Sequence, residues 1–131
     1  MEIEVTVKNL VSAACLALGL GALGMPAALA HGSATPKHGG IVQTVGDLGF
    51  ELVSTADGVA LYVDDHGKLV APAGIAGKLT VLNGTQKSEA DLVAASDRLE
   101  AKGIKLAPGA KVVAALTTAQ KKAVTVRFTV R

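Results

Sequence analysis

Apolar and polar residues alternate along most of the last ninety residues of the chain. The clearest case is "VTVRFTVR" (124–131), where Val124, Val126, Phe128 and Val130 fall on one side and Thr125, Arg127, Thr129 and Arg131 on the other. A period of two is that of a strand with one dry and one wet face. "FELVS" (50–54) and "VALYVDD" (59–65) flank Asp57-Gly58, a favourable hairpin dipeptide, and "KLTVLN" (78–83) runs into Asn83-Gly84, another. "GIVQTV" (40–45) reads as a first strand, and "KVVAALTT" (111–118) follows the turn signal Pro108-Gly109. Turn signals about ten residues apart point to an all-β sandwich or small barrel of about seven to eight short strands. The dry faces predict a core of Phe50, Leu52, Leu61, Val63, Leu79, Val81, Leu99, Val112, Leu116, Val124, Val126 and Phe128.

One segment fits two patterns. "SEADLVAASDRLEAKG" (88–103) reads as a helix, with Ser88 as cap, Leu92, Ala95 and Leu99 on one face and Gly103 as terminator. The competing reading is two strands, 87–93 and 98–102, turned at Ser96-Asp97, although the pattern by itself leans to the helix. A short all-β chain needs those strands to complete its sheets, and the strand reading is the one adopted.

The start of the chain is different in kind. Residues 10–30, "LVSAACLALGLGALGMPAALA", carry no charge, follow Lys8 and end in the small-x-small box Ala28-Leu29-Ala30. That is the pattern of a secretory signal peptide over 1–30, cut after Ala30. Glu2 and Glu4 make an unusual start for such a leader, and a run of about 20 apolar residues is also long enough to stay in a bilayer as an anchor. Cys15 reads as a small hydrophobe within the leader. With export, the domain plan is a leader (1–30), a flexible leash (31–39) and a β domain (40–131), located in the periplasm.

Export changes the composition. Of 13 basic and 11 acidic residues, Lys8, Glu2 and Glu4 leave with the leader, so the mature chain has net charge +3. The charges are scattered, which argues against nucleic acid. Cys15 and Met25 leave too, so the mature chain has no disulfide and no soft metal ligand. The only aromatic residues are Phe50, Tyr62 and Phe128, too few for a stacking platform.

The remaining chemistry lies in three histidines. Cleavage after Ala30 would give His31 a free α-amino group, which together with its imidazole chelates one metal ion. His38 or His66 would then supply a third nitrogen. Without thiolate or thioether the ions suited are Cu(II) or Zn(II), with Asp64 or Asp65 as further ligands. Each histidine also has a plain reading: His31 follows the cut, His38 opens a flexible "HGG", and His66 sits in the turn "DDHGK". Asp64 and Asp65 are adjacent on a strand and point to opposite faces, which makes them a poor catalytic pair. No serine lies in a nucleophile-elbow motif and no glycine loop suits a phosphate, so the chain reads as non-enzymatic.

"HGG" at 38–40, "FELV" at 50–53, "LYVDDHGK" at 61–68, "GKLTVLNG" at 77–84, "LEAKGIKL" at 99–106 and the closing "KKAVTVRFTV" together resemble a group of small exported proteobacterial proteins. They also resemble the β-rich segment near the start of some periplasmic adaptor subunits of heavy-metal efflux pumps. That group has Gly-Lys-Pro where this chain has Gly67-Lys68-Leu69, its nearest proline being Pro72. The resemblance implies an immunoglobulin-like antiparallel sandwich, strands rather than a helix at 88–103, and by association a role in metal homeostasis.

Two functions follow as expectations. One is a periplasmic metal-binding or metal-handling accessory using Cu(II) or Zn(II). The other is a non-metal interaction module that docks on an efflux-pump or other envelope protein. Both require export, so N-terminal sequencing of the exported protein is expected to begin at His31. A full-length band that resists a salt wash of the membrane fraction would instead identify an anchor.

Overall fold

In a computed structural model the described residues are 35–131, so the leader, the cleavage site and His31 lie outside them. Among the described residues there is no helix. Nine strands follow in order: β1 (Ile41–Val45), β2 (Leu48–Ser54), β3 (Gly58–Asp65), β4 (Lys68–Leu69), β5 (Ala76–Asn83), β6 (Gln86–Ala95), β7 (Arg98–Lys102), β8 (Lys111–Thr117) and β9 (Ala123–Thr129).

Every ladder is antiparallel. The spatial order is β1-β2-β3-β7-β6-β5-β8-β9, with β4 a short flap on β3. The sheet nearly closes into a barrel around one core, with β1 and β9 side by side but not joined by a ladder. Of the two architectures that the turn spacing suggests, this is closer to the barrel. The long strand β6 makes the sheet continuous. Its first part pairs β5 from Gln86 to Leu92, and its last three residues, Val93 to Ala95, pair β7.

Segment 88–103 forms the β6–β7 hairpin. Leu92 and Leu99 fit one face of a helix, but here they reach the core from two strands. Ser96 takes a left-handed φ of 57° in the two-residue turn between them. Such a turn lets the chain reverse while both dry faces stay inward.

The alternation fixes what is buried. Phe50, Leu52, Leu61, Val63, Leu79, Val81, Leu99, Val112, Leu116, Val126 and Phe128 are all in the core, and Val124 is half-buried against it. Val59, Leu92, Ala101, Ile104, Ala110 and Ala114 complete it. Arg127 and the threonines of β9 are exposed, as the strand's period requires. β2 is buried from Gly49 to Leu52, as β3 is from Gly58 to Leu61, so its outer face is covered as well as its inner one.

Phe128 is 2% exposed. Phe128→Ala is expected to cost about 3–5 kcal/mol, read as a fall in the urea midpoint at unchanged slope. A loss under about 1 kcal/mol would mean that the ring is not the packing element this burial implies.

Candidate functional site

The outer cover of β2 is the chain that leads into β1. Glu51 lies on the outer face, directly across from Tyr62 on β3 and Val42 on β1. It is only 6% exposed, the one charged residue in the buried set. Its carboxylate accepts the backbone N–H groups of Lys37 (3.1 Å), His38 (2.8 Å) and Gly40 (2.8 Å). His38 Nδ1 adds a fourth contact at 3.0 Å from Oε1. Burial raises the pKa of Glu51, but the bonds from the His38 ring and from the three N–H groups outweigh it. The net value is lowered from the ordinary 4.5.

The glycines of "HGG" make this geometry possible. Gly39 has a left-handed φ of 75°. Gly40 packs so closely on the Leu52 carbonyl that no Cβ would fit. The chain can therefore bend over the carboxylate with three donors aimed at one acceptor. The segment expected to be the end of a flexible leash is thus held at Lys37, His38 and Gly40.

The His38 ring stacks on Tyr62, with centroids 3.7 Å apart and planes at 4°. The Arg98 guanidinium stands 6.0 Å from the same Tyr62 ring. Arg98 pairs with Glu100 at 2.8 Å and reaches Asp97 at 3.5 Å. The Glu100 hydrogen bond, more than any other cause, holds the Arg98 pKa above its usual value. Glu51, His38, Tyr62 and Arg98 thus form a continuous polar row across β2, β3 and β7.

The 64–67 turn lies at the same end. Lys37 Nζ donates to the Gly67 carbonyl at 3.1 Å. Asp64 lies over Gly49, where a Cβ would come within 2.7 Å of its carboxylate oxygen. Asp65 turns away and meets His66 Nδ1 at 2.6 Å, while His66 Nε2 faces Asp47 at 3.6 Å. His38 and His66 therefore serve separate carboxylates. Among the described residues no three His, Asp, Glu or Cys side chains converge as a metal site. His31, the proposed chelating end of that site, is outside the described residues.

The second feature is the gap in the barrel wall. Between β1 and β9 runs a cleft of about 1220 Å³. Gly40, Ile41 and Val42 line one side, and Arg127, Thr129 and Arg131 the other. Leu52, Val112 and Phe128 form its floor. Neither strand contains proline, so each can offer its free edge to a further strand.

The sequence reading missed Glu51, Tyr62 and Arg98 as a group. An acid alternating with Phe50 and Leu52 looks like a wet-face residue. The available signal was the donor-rich "KHGG", which needs an acceptor close by.

Comparison with known protein families, with characterised proteins and with solved structures finds no match.

Since the pKa of Glu51 is lowered on folding, its contribution is present above pH 4.5 and is lost as pH falls through the folded value. Glu51→Gln is therefore expected to flatten the acid side of the stability–pH curve, so wild type and variant converge as pH falls through the folded value. Glu51→Ala leaves three N–H groups without their acceptor and is expected to cost about 1–3 kcal/mol at pH 7. Denaturant midpoints across pH check both. Parallel wild-type and Gln curves would mean that the ionised carboxylate does not hold this segment.

Proposed function

We propose that the protein is a non-enzymatic, exported accessory module of the periplasm that docks on another envelope protein. A component of a heavy-metal efflux pump is the first partner to test. The observation that carries this reading is the unclosed wall between β1 and β9. Two strand edges without a ladder between them border a cleft there, with an apolar floor and a polar, cationic rim. The efflux-pump partner and an immunoglobulin-like classification of the sheet both rest on the sequence resemblance.

A second reading, a Cu(II)- or Zn(II)-handling protein, is favoured by His38. Glu51 holds Nδ1, and among the described residues nothing bonds Nε2. An imidazole oriented by a carboxylate through its other nitrogen is a good metal ligand. The described residues supply this one oriented donor and not a full set. The reading therefore needs His31, with His66, Asp64 or Asp65 as further ligands.

Two titrations of the protein beginning at His31 separate the readings. With a purified adaptor subunit of a heavy-metal efflux pump, calorimetry is expected to show micromolar binding. With Cu(II) or Zn(II) at neutral pH it is expected to show none at micromolar metal. Tight metal binding that is lost in His38→Ala, and is weaker when residues 1–30 remain attached, would replace the docking reading with the metal one.

A further inference from the structure

The docking reading leaves open what enters the cleft. We infer that the β9 edge takes an extended acidic segment of another protein, added as an antiparallel strand, with its acidic side chains over Arg127 and Arg131. This rests on the docking reading and gives its partner a chemistry.

Strand parity constrains how a guest can pair. Eight strands in the order β1-β2-β3-β7-β6-β5-β8-β9, each antiparallel to the next, leave β1 and β9 running in opposite directions. β1 and β9 approach each other over part of their length, closer than the two strand spacings of about 10 Å that a guest between them needs, so a strand can enter only where the cleft opens, at 40–43 and 127–131. There it is necessarily parallel to one edge and antiparallel to the other. Antiparallel pairing is the slightly stronger. β9, with seven residues against five in β1, offers the longer edge for it.

Charge then selects the occupant. Arg127 and Arg131 lie on the outer side of this edge, and Lys111 on β8 stands beside them, its Nζ 3.2 Å from Thr129 Oγ1. Among the described residues none of these three cations has an ion-pair partner. No Asp or Glu lines the cleft, and β1 carries no charge at all. An incoming strand alternates as β9 does. Its inward residues would lie beside Val126, Phe128 and Val130 and would be apolar. Its outward residues would face Arg127, Thr129 and Arg131, which calls for two acids four positions apart. Opposite charges on facing strands are the favourable cross-strand pair.

A second copy of this chain is a poorer occupant. In the full-length two-fold pairing of β9 with itself, centred on Val126, each Arg127 lies diagonal to its counterpart. Like charges on such neighbouring sites repel. The same arginines therefore work against self-association and in favour of an acidic guest.

The test uses a labelled, end-blocked ten-residue peptide of valine alternating with threonine, in which two outward positions four apart are glutamate. A second peptide has lysine at those positions, and a third has a central proline. Fluorescence anisotropy with the purified protein is expected to show the glutamate peptide binding at least tenfold more tightly than either of the others. Arg127→Glu combined with Arg131→Glu is expected to reverse the preference between the glutamate and lysine peptides. Both positions are exposed, and circular dichroism checks that the variant folds. Amide NMR shifts are expected to concentrate on β9 and β8. Equal binding of the glutamate and lysine peptides would overturn the acidic selection, and the docking reading would still stand if the adaptor titration is positive. Shifts confined to β2 and β3, a dimer through β9 in sedimentation, or no peptide binding by folded protein would each overturn the inference. The docking reading itself is decided separately, by the adaptor and metal titrations.

Discussion

A carboxylate in the wall of a β-sheet is costly to bury unless its oxygens are fully bonded. Glu51 meets that condition through Lys37, His38 and Gly40, and the rest of this end of the molecule is arranged around it. The entry chain must bend over β2, which requires the left-handed Gly39 and the bare Gly40. The bend lays His38 flat on Tyr62 and directs Lys37 to the 64–67 turn. It also fixes where β1 begins. Since His38, Gly39 and Gly40 line the cleft, one buried acid shapes a wall of the barrel's opening.

The opening has its own physical logic. Strands that alternate in direction and are even in number can close on themselves with a final antiparallel ladder. Here the last two edges do not match. β9 carries Arg127 on its outer side, with Arg131 just beyond, whereas β1 offers Val42 and Thr44 and no countercharge. Closure would gain hydrogen bonds between the two edges, but it would give the cations no partner. It would also use up the two end edges of the barrel path.

Much of this was legible in the chain, for reasons that vary by segment. β9 was read correctly, face by face, because one side of the strand is dry and the other wet, the condition under which a period of two appears. Segment 88–103 was ambiguous because Leu92 and Leu99 are seven apart, a spacing that suits two helical turns and also a hairpin with a two-residue turn. Only pairing with β5 and β3 decides between them. Sandwich or barrel could not be chosen from turn spacing, since the choice lies in β7 returning to β3 and β8 to β5, pairings between distant parts of the chain. Glu51 was invisible for a related reason. Its burial comes from a segment eleven to fourteen residues earlier, whose glycines suggest flexibility to a local reading. In the folded chain those glycines are what allow the segment to be fixed.

The distribution of unsatisfied capacity separates the cleft from the rest of the surface. Among the described residues no buried side-chain nitrogen or oxygen lacks a partner. The large exposed apolar residues, Val45, Leu69, Leu82 and Val93, are scattered over four strands, as on most soluble proteins. His66 is occupied by two carboxylates, and Arg98 by Glu100 and Asp97. What sets the β1–β9 seam apart is that three features meet there: strand edges without a ladder between them, apolar side chains at the floor, and Lys111, Arg127 and Arg131 side by side without an ion-pair partner among the described residues. Backbone edges supply affinity without specificity, apolar floors supply burial without register, and cations alone bind almost any anion. Only a segment that is extended, alternating and acidic on one face meets all three at once.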